Sequence, residues 1–136
     1  MIIGFISGCF DDLHCGHRFI LSEAKSQCDE LIVAVNDDDY IRRAKGREPM
    51  VDLDGRILAV ENCGVDYVFS FSEETPIDLI MEFEPDIIFV GDDYPIEKVV
   101  GAEECAAWGG RVEIIKRIPG YSSSEIYAKS RSSSGS

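Results

Sequence analysis

Apolar residues gather in five short runs: "IIGFI" at 2–6, "LIVAV" at 31–35, "YVFSF" at 67–71, "DIIFV" at 86–90 and "VEIIK" at 112–116. The runs are β-branched or aromatic, and several are apolar at consecutive positions, as strands buried on both faces of a parallel sheet require. Between them the period changes from two to between three and four. Residues 16–28 place Phe19, Ile20, Ala24 and Cys28 on one helical stripe, and residues 54–63 do the same with Ile57, Leu58 and Val60. Thr75-Pro76 opens a helix over 76–83 as a cap followed by proline in the first turn. A further helix is predicted over 96–108, stopped by Gly109-Gly110.

Strand and helix alternating at this rhythm predict an α/β fold, a Rossmann-like doubly wound sheet of about five parallel strands with helices on both faces. In such sheets ligands bind beyond the carboxyl ends of the strands, at the switch point. The stretches 7–17, 36–38, 91–95 and 117–124 are therefore where chemistry is expected. One domain over 1–130 accounts for the pattern. Residues 131–136, "RSSSGS", read as a low-complexity tail without fixed structure.

Composition narrows the function. The 136 residues carry a formal net charge of −13, which argues against DNA or RNA as a partner, because binding phosphate backbones needs a basic surface. No apolar run reaches the ~20 residues of a membrane span, and "MIIGFIS" is too short and lacks the basic start of a secretory signal. These features read as a soluble, cytoplasmic protein. Cysteines at 9, 15, 28, 63 and 105 form no CxxC pair and suit reduced, separately packed thiols. With two histidines in the whole chain, a zinc site is not expected, and no protein-held metal is assigned.

Both histidines lie in "GCFDDLHCGH", residues 8–17, directly after the first strand. Gly8 and Gly16 bracket the turn, so backbone can approach a ligand closely, and the helix that follows offers its N-terminus to a phosphate. His14 and His17, three apart, project from one side of the helix start and can grip one anion together. A packed His14 and a capping His17 would be the structural alternative. Two histidines in one glycine-flanked strand-to-helix turn favour function. Neither Walker A nor GxGxxG is present, and no nucleophile elbow supports a covalent triad.

This segment resembles the G-x-F-D-x-x-H-x-G-H motif of the HxGH nucleotidylyltransferases, the cytidylyltransferase-like group, and the likeness runs over roughly residues 2–128. "ELIVAVNDDDYIRRAKGREPMVDLDGR" is similar to the family's second strand, its Ser/Asn-x-Asp turn, its Lys-Gly loop and the arginine that opens the next helix. "PDIIFVGDDY" resembles the Gly-Asp-Asp loop of glycerol-3-phosphate cytidylyltransferases. "VVGAEECAAWGGRVEII" and "GYSSSEI" resemble heptose-1-phosphate adenylyltransferases.

The resemblance implies transfer of an NMP from ATP or CTP to a small sugar or polyol phosphate, with release of pyrophosphate. The attacking phosphate is already ionised near neutral pH, so catalysis reduces to positioning and neutralising charge. It implies His14, His17 and Lys45 as catalytic groups, with Gly8, Cys9, Phe10, Gly16, Gly91, Asp92, Ser122, Ser123 and Ser124 at the nucleotide. Asp11, Asp38, Arg56 and Asp93 would serve the acceptor, Asp11 alternatively organising the loop or Mg²⁺. Mg²⁺ is expected on the triphosphate, and a homodimer as the assembly. Each residue also has a plain structural use: Lys45 as a solvated loop lysine, Arg56 as an exposed helix-start arginine, and Ser122–Ser124 as an N-cap. A heptose-1-phosphate adenylyltransferase is the first expectation and a glycerol-3-phosphate or phosphoethanolamine-like cytidylyltransferase the alternative. A catalytically silent nucleotide-binding module comes next, and a redox or response-regulator-like module last, since it leaves the paired histidines unexplained.

Overall fold

The computed structural model describes residues 1–11, 15–92 and 96–116, with Cys15, Gly16 and Ile96 as backbone only. Chain order is β1 (Ile3–Gly8), α1 (Cys15–Ser26), β2 (Glu30–Asn36), α2 (Asp38–Lys45), α3 (Leu53–Glu61) and β3 (Tyr67–Phe71). Then follow α4 (Ile77–Phe83), β4 (Ile87–Gly91), a 3₁₀ turn (Ile96–Lys98), α5 (Ala102–Ala107) and β5 (Arg111–Ile115). The strands form one parallel sheet in the order β3-β2-β1-β4-β5. The order turns back at β1, whose neighbours are β2 on one side and β4 on the other, so the switch point lies between β1 and β4.

Alternation along the central strands feeds two cores. Leu31, Val33 and Val35 of β2 face one side with Ile6, Ile87 and Phe89, and are covered by Leu21 and Ala24 of α1 and Val60 of α3. Ile32 and Ala34 face the other side with Phe5 and Ile88, under Ile80 of α4 and Cys105 of α5. Helices that connect β1, β2 and β3 thus cover one face, and those leading to β4 and β5 cover the other. No described helix is long and apolar enough to cross a membrane.

A parallel sheet leaves amides at its strand starts without ladder partners, and aspartates supply them. Asp29 accepts from the Ile2 amide at 2.6 Å, Asp86 from Ile3 at 2.8 Å and Asp66 from Leu31 at 2.8 Å. Asp66 also pairs with Lys25 at 2.7 Å; the Lys25 ammonium and the Leu31 amide hold its carboxyl below the usual range.

The five strands fall within two residues of their expected ends, but four helices differ from the sequence reading. Residues 38–45, read as a turn leading into a loop, form α2, capped by Asp37 Oδ1 on the Tyr40 amide at 2.8 Å. Ile41 is its one buried residue, too little to show a period. The helix expected over 96–108 is a 3₁₀ turn and a short α5, because Gly101 takes φ +87° between them. On α1 the deepest positions are Leu21 and Ala24, with Phe19 and Ile20 only partly covered, and on α3 Leu58 is exposed. Asp86→Ala removes the carboxylate that satisfies the part-buried Ile3 amide. It is expected to cost about 1–3 kcal/mol in a urea denaturation, with an unchanged slope.

Candidate active site

The carboxyl end of β1 is built around an unusual backbone. Phe10 takes φ +51°, a conformation that a bulky residue holds only when its surroundings enforce it. Its buried ring supplies that enforcement: it joins the α1–α3 core and meets the His17 ring edge-on, with centroids 5.9 Å apart. A Cβ on Gly8 would sit 3.2 Å from the Phe10 ring, so the glycine leaves room for the fold-back. Thus Gly8, Phe10 and His17, drawn from strand, turn and helix, are brought together. Gly16 lies in the first turn of α1. His14, Asp93 and Ser122–Ser124, like the tail at 131–136, lie outside the described residues.

Arg56 occupies the space between the ends of β1 and β2. Its side chain is 0% exposed, and four of its N–H groups are engaged. Nη1 donates to the Cys9 carbonyl at 2.8 Å and to the Asn36 carbonyl at 2.6 Å. Nε donates to the Val51 carbonyl at 2.9 Å, and Nη2 to Asp38 Oδ1 at 2.6 Å. Asp38 also accepts from the Leu53 amide at 3.3 Å. Arg56, assigned to the acceptor by the resemblance with an exposed helix-start arginine as the alternative, is among the most buried side chains, and Asp38 is its counter-ion on the first turn of α2.

Asp11, just beyond β1, is likewise surrounded by donors. Arg47 Nη1 reaches Oδ2 at 2.7 Å, and the Met50 and Val51 amides donate at 2.9 and 3.1 Å. Burial opposes ionisation, but the Arg47 guanidinium and the two amides outweigh it and hold the carboxyl below its ordinary value. The chain reaches this point from Lys45 through Gly46, which caps α2 at φ +66° and donates its amide to the Arg42 carbonyl.

Of the basic cluster at 42–47, Arg42 pairs with Asp39 and Glu48, Arg43 with Glu74, and Arg47 with Asp11. Among the described residues, Lys45 alone of the four makes no ion pair, and it is exposed. Its charge nevertheless reaches the β1 end. Burial pushes the Cys9 thiol up and the Asp11 carboxylate adds to it, while Lys45, Arg56 and Arg47 pull it the other way without reversing it. The thiol donates to Asn36 Oδ1 at 3.5 Å. The end of β1 thus gathers three cationic side chains, two of them paired with Asp11 and Asp38, next to the start of α1. At the other side of the switch point, Gly91 ends β4 and Asp92 follows it, exposed.

An open cleft beyond β3 is lined by Asp37, Ser70, Ser72, Glu73, Thr75 and Asp78. Its three carboxylates repel phosphate. Asn36 and Arg47 are site residues that sequence reasoning left unassigned. Arg47 belongs to the basic run at 42–47, and Asn36 opens the Asn-x-Asp turn that ends β2; both signals were in the chain without a role attached to either residue.

The cytidylyltransferase-like family pattern matches residues 5–129. That match, on a doubly wound parallel sheet, defines a nucleotidyltransferase. The chain belongs to the cytidylyltransferase-like family. It is 42% identical over 132 residues to the bifunctional protein HldE of Acidiphilium cryptum, covering 96% of this chain and 27% of that protein. The HldE of Rhodopseudomonas palustris is 44% identical over 133 residues, with 95% and 27% covered. The chain thus spans about a quarter of the length of these relatives. A crystal structure of the lipopolysaccharide core biosynthesis protein from Thermoplasma volcanium superposes with a TM-score of 0.68 at 30% identity, covering 87% of this chain and 97% of that one. The pantoate-beta-alanine ligase of Francisella tularensis, TM-score 0.60 at 15% identity over 87% of this chain and 60% of its own, shares the fold.

Two outcomes follow. Arg56→Met strands the Cys9 and Asn36 carbonyls and leaves Asp38 without its counter-ion, and is expected to cost about 3–5 kcal/mol in chemical denaturation. The Asp11 carboxyl ionises more readily folded than unfolded. Its contribution is therefore fully present above its ordinary value of 3.8 and is lost as the pH falls through the lower folded value. The stability gap between the wild type and Asp11→Asn should stay level from about pH 8 to 5 and close in more acid solution, as followed by thermal melting across a pH series.

Proposed function

We propose that the protein transfers AMP from ATP to the phosphate of heptose 1-phosphate, making an ADP-activated sugar. A phosphate oxygen of the sugar attacks the α-phosphorus, the bond to the β-phosphate oxygen breaks, and pyrophosphate leaves with the electron pair. The attacking oxygen is already anionic, so the chain need not remove a proton. Its task is to hold two anions in line and offset the charge that builds as the bond to pyrophosphate breaks.

The observation that carries this reading is the exposed Lys45 ammonium, without an ion pair among the described residues, near the end of β1, where Phe10 meets His17. Lys45 would follow the triphosphate, and His14 with His17 would meet the α- and β-phosphates. Gly8, Cys9, Phe10 and Gly16 would form the floor under the nucleotide, with Gly91, Asp92 and Ser122–Ser124 closing its other side. Asp93 would meet the acceptor. Mg²⁺ would arrive on the triphosphate as part of the substrate, held by phosphate oxygens and water. The Asp11 and Asp38 carboxylates fit that arrangement, since protein donors already occupy them.

The choice of sugar and nucleotide is supported by the likeness of residues 99–115 and 120–126 to heptose-1-phosphate adenylyltransferases. That nearly all of this chain matches a quarter of a bifunctional protein fits one of two activities residing in the matched segment. We place the enzyme in the cytoplasm as a homodimer. The Gly91-Asp92-Asp93 loop keeps a cytidylyl transfer to glycerol 3-phosphate as the second reading.

Pyrophosphate release is to be measured with ATP or CTP crossed with heptose 1-phosphate, glycerol 3-phosphate and phosphoethanolamine. ATP with heptose 1-phosphate should turn over best, and Lys45→Ala or His17→Ala should lower kcat by about 10²–10³-fold with the fold intact. Turnover with CTP and glycerol 3-phosphate alone would select the second reading. Folded protein that binds ATP without any turnover would leave a silent binding module.

A further inference from the structure

The segment from Lys45 to Val51 leaves α2 through a left-handed glycine and returns to the end of β1, where one residue, Val51, is held at both its amide and its carbonyl. Asp11 accepts the Val51 amide at 3.1 Å, and Arg56 donates to the Val51 carbonyl at 2.9 Å. Both captors are tied to the same strand end: Asp11 lies three residues beyond β1, and Arg56 holds the Cys9 carbonyl at 2.8 Å. Asp11 adds the Met50 amide and the Arg47 guanidinium, so three donors converge on a carboxylate whose side chain is 6% exposed. A carboxylate offers about four acceptor positions, and a guanidinium five N–H groups. With three donors on Asp11 and four N–H groups of Arg56 engaged, little remains of either for a substrate.

We propose that Asp11 and Arg56 are positioning residues, a latch that closes the Lys45–Val51 loop onto the end of β1 and thereby sets the Lys45 ammonium over the site. This deepens the nucleotidyl-transfer reading and rests on it for the role of Lys45. The loop's near end is held independently, by the buried Ile41 and the Asp37 cap of α2. Releasing the far end frees seven residues, six of them exposed, with Lys45 at their start. The effect on reaction then travels through Lys45, and that is what separates a latch from a direct acceptor contact.

The test has a kinetic and a structural part. Asp11→Asn, Lys45→Ala and the double variant form a cycle in kcat/KM. Asp11→Asn is expected to lower the rate tenfold or more in the wild-type background and less than about twofold in Lys45→Ala, because coupled residues are not additive. The same loss in both backgrounds, carried by a raised KM for the sugar phosphate, would overturn the latch in favour of acceptor binding. In the substrate-free protein, hydrogen exchange at the Met50 and Val51 amides should quicken at least tenfold in Asp11→Asn while the amides of β2 stay protected. Arg47→Ala, which removes only the exposed partner, should act in the same direction to a smaller extent. Unchanged exchange at residues 50 and 51 in Asp11→Asn overturns the proposal. Exchange needs no turnover, so it judges the latch even if every substrate pair fails, a failure that would count against the reaction alone.

Discussion

The buried guanidinium of Arg56 is the interaction on which the upper end of this molecule depends. A charge taken out of water is tolerated only where hydrogen bonds and an opposite charge replace the lost solvation. Here the replacements come from four separate places in the chain: the turn after β1, the last residue of β2, the first turn of α2 and the segment before α3. Each of these partners carries a site feature with it. The Cys9 carbonyl belongs to the turn that contains Phe10, Asp38 opens the helix that ends in Lys45, and Val51 closes the loop that follows. One side chain therefore ties α2 and the segment before α3 to two strand ends that the β1–β2 ladder already holds side by side.

Phe10 shows a second way in which the fold constrains the site. A non-glycine residue at positive φ costs about 1–3 kcal/mol, and the ring buried under α1 offsets it. The turn cannot relax without withdrawing that ring from the core, so the position of His17 is coupled to core packing. The site is rigid on its β1 side, while its most mobile contributor, the Lys45 side chain, stands on an exposed segment. A fixed floor with an adjustable cation suits a reaction whose main requirement is to follow charge as it moves from the acceptor to pyrophosphate.

Much of the architecture was legible in the chain because buried strands carry a strong pattern. The runs at 31–35 and 86–90 announced the centre of the sheet, and the turn at 8–17 announced the site by its histidines and glycines. Helix α2 was not legible, since a short helix with one buried residue carries no period, and three successive aspartates read as a turn. Asp11 was legible as an organiser of the loop, whereas the burial of Arg56 was not. An arginine at a helix start is usually solvated, and only the folded arrangement of β1, β2 and α2 closes a cage around it. Sequence pattern reports which residues leave water when burial is apolar. It is silent about a polar residue buried by partners far along the chain.

The aspartates that cap the strand starts have a consequence of their own. Because every strand of a parallel sheet begins at the same edge, the carboxylates of Asp29, Asp66 and Asp86 are gathered along one rim. Arg56, Arg47 and Lys45 stand at the opposite rim, where Asp38 and Asp11 face the two arginines. Carboxylates thus work at both rims, closing backbone hydrogen bonds where the strands begin and holding guanidinium groups where they end. In a protein of net charge −13, these five aspartates are framework, and neutralising any one of them weakens a hydrogen-bond acceptor as well as removing a charge.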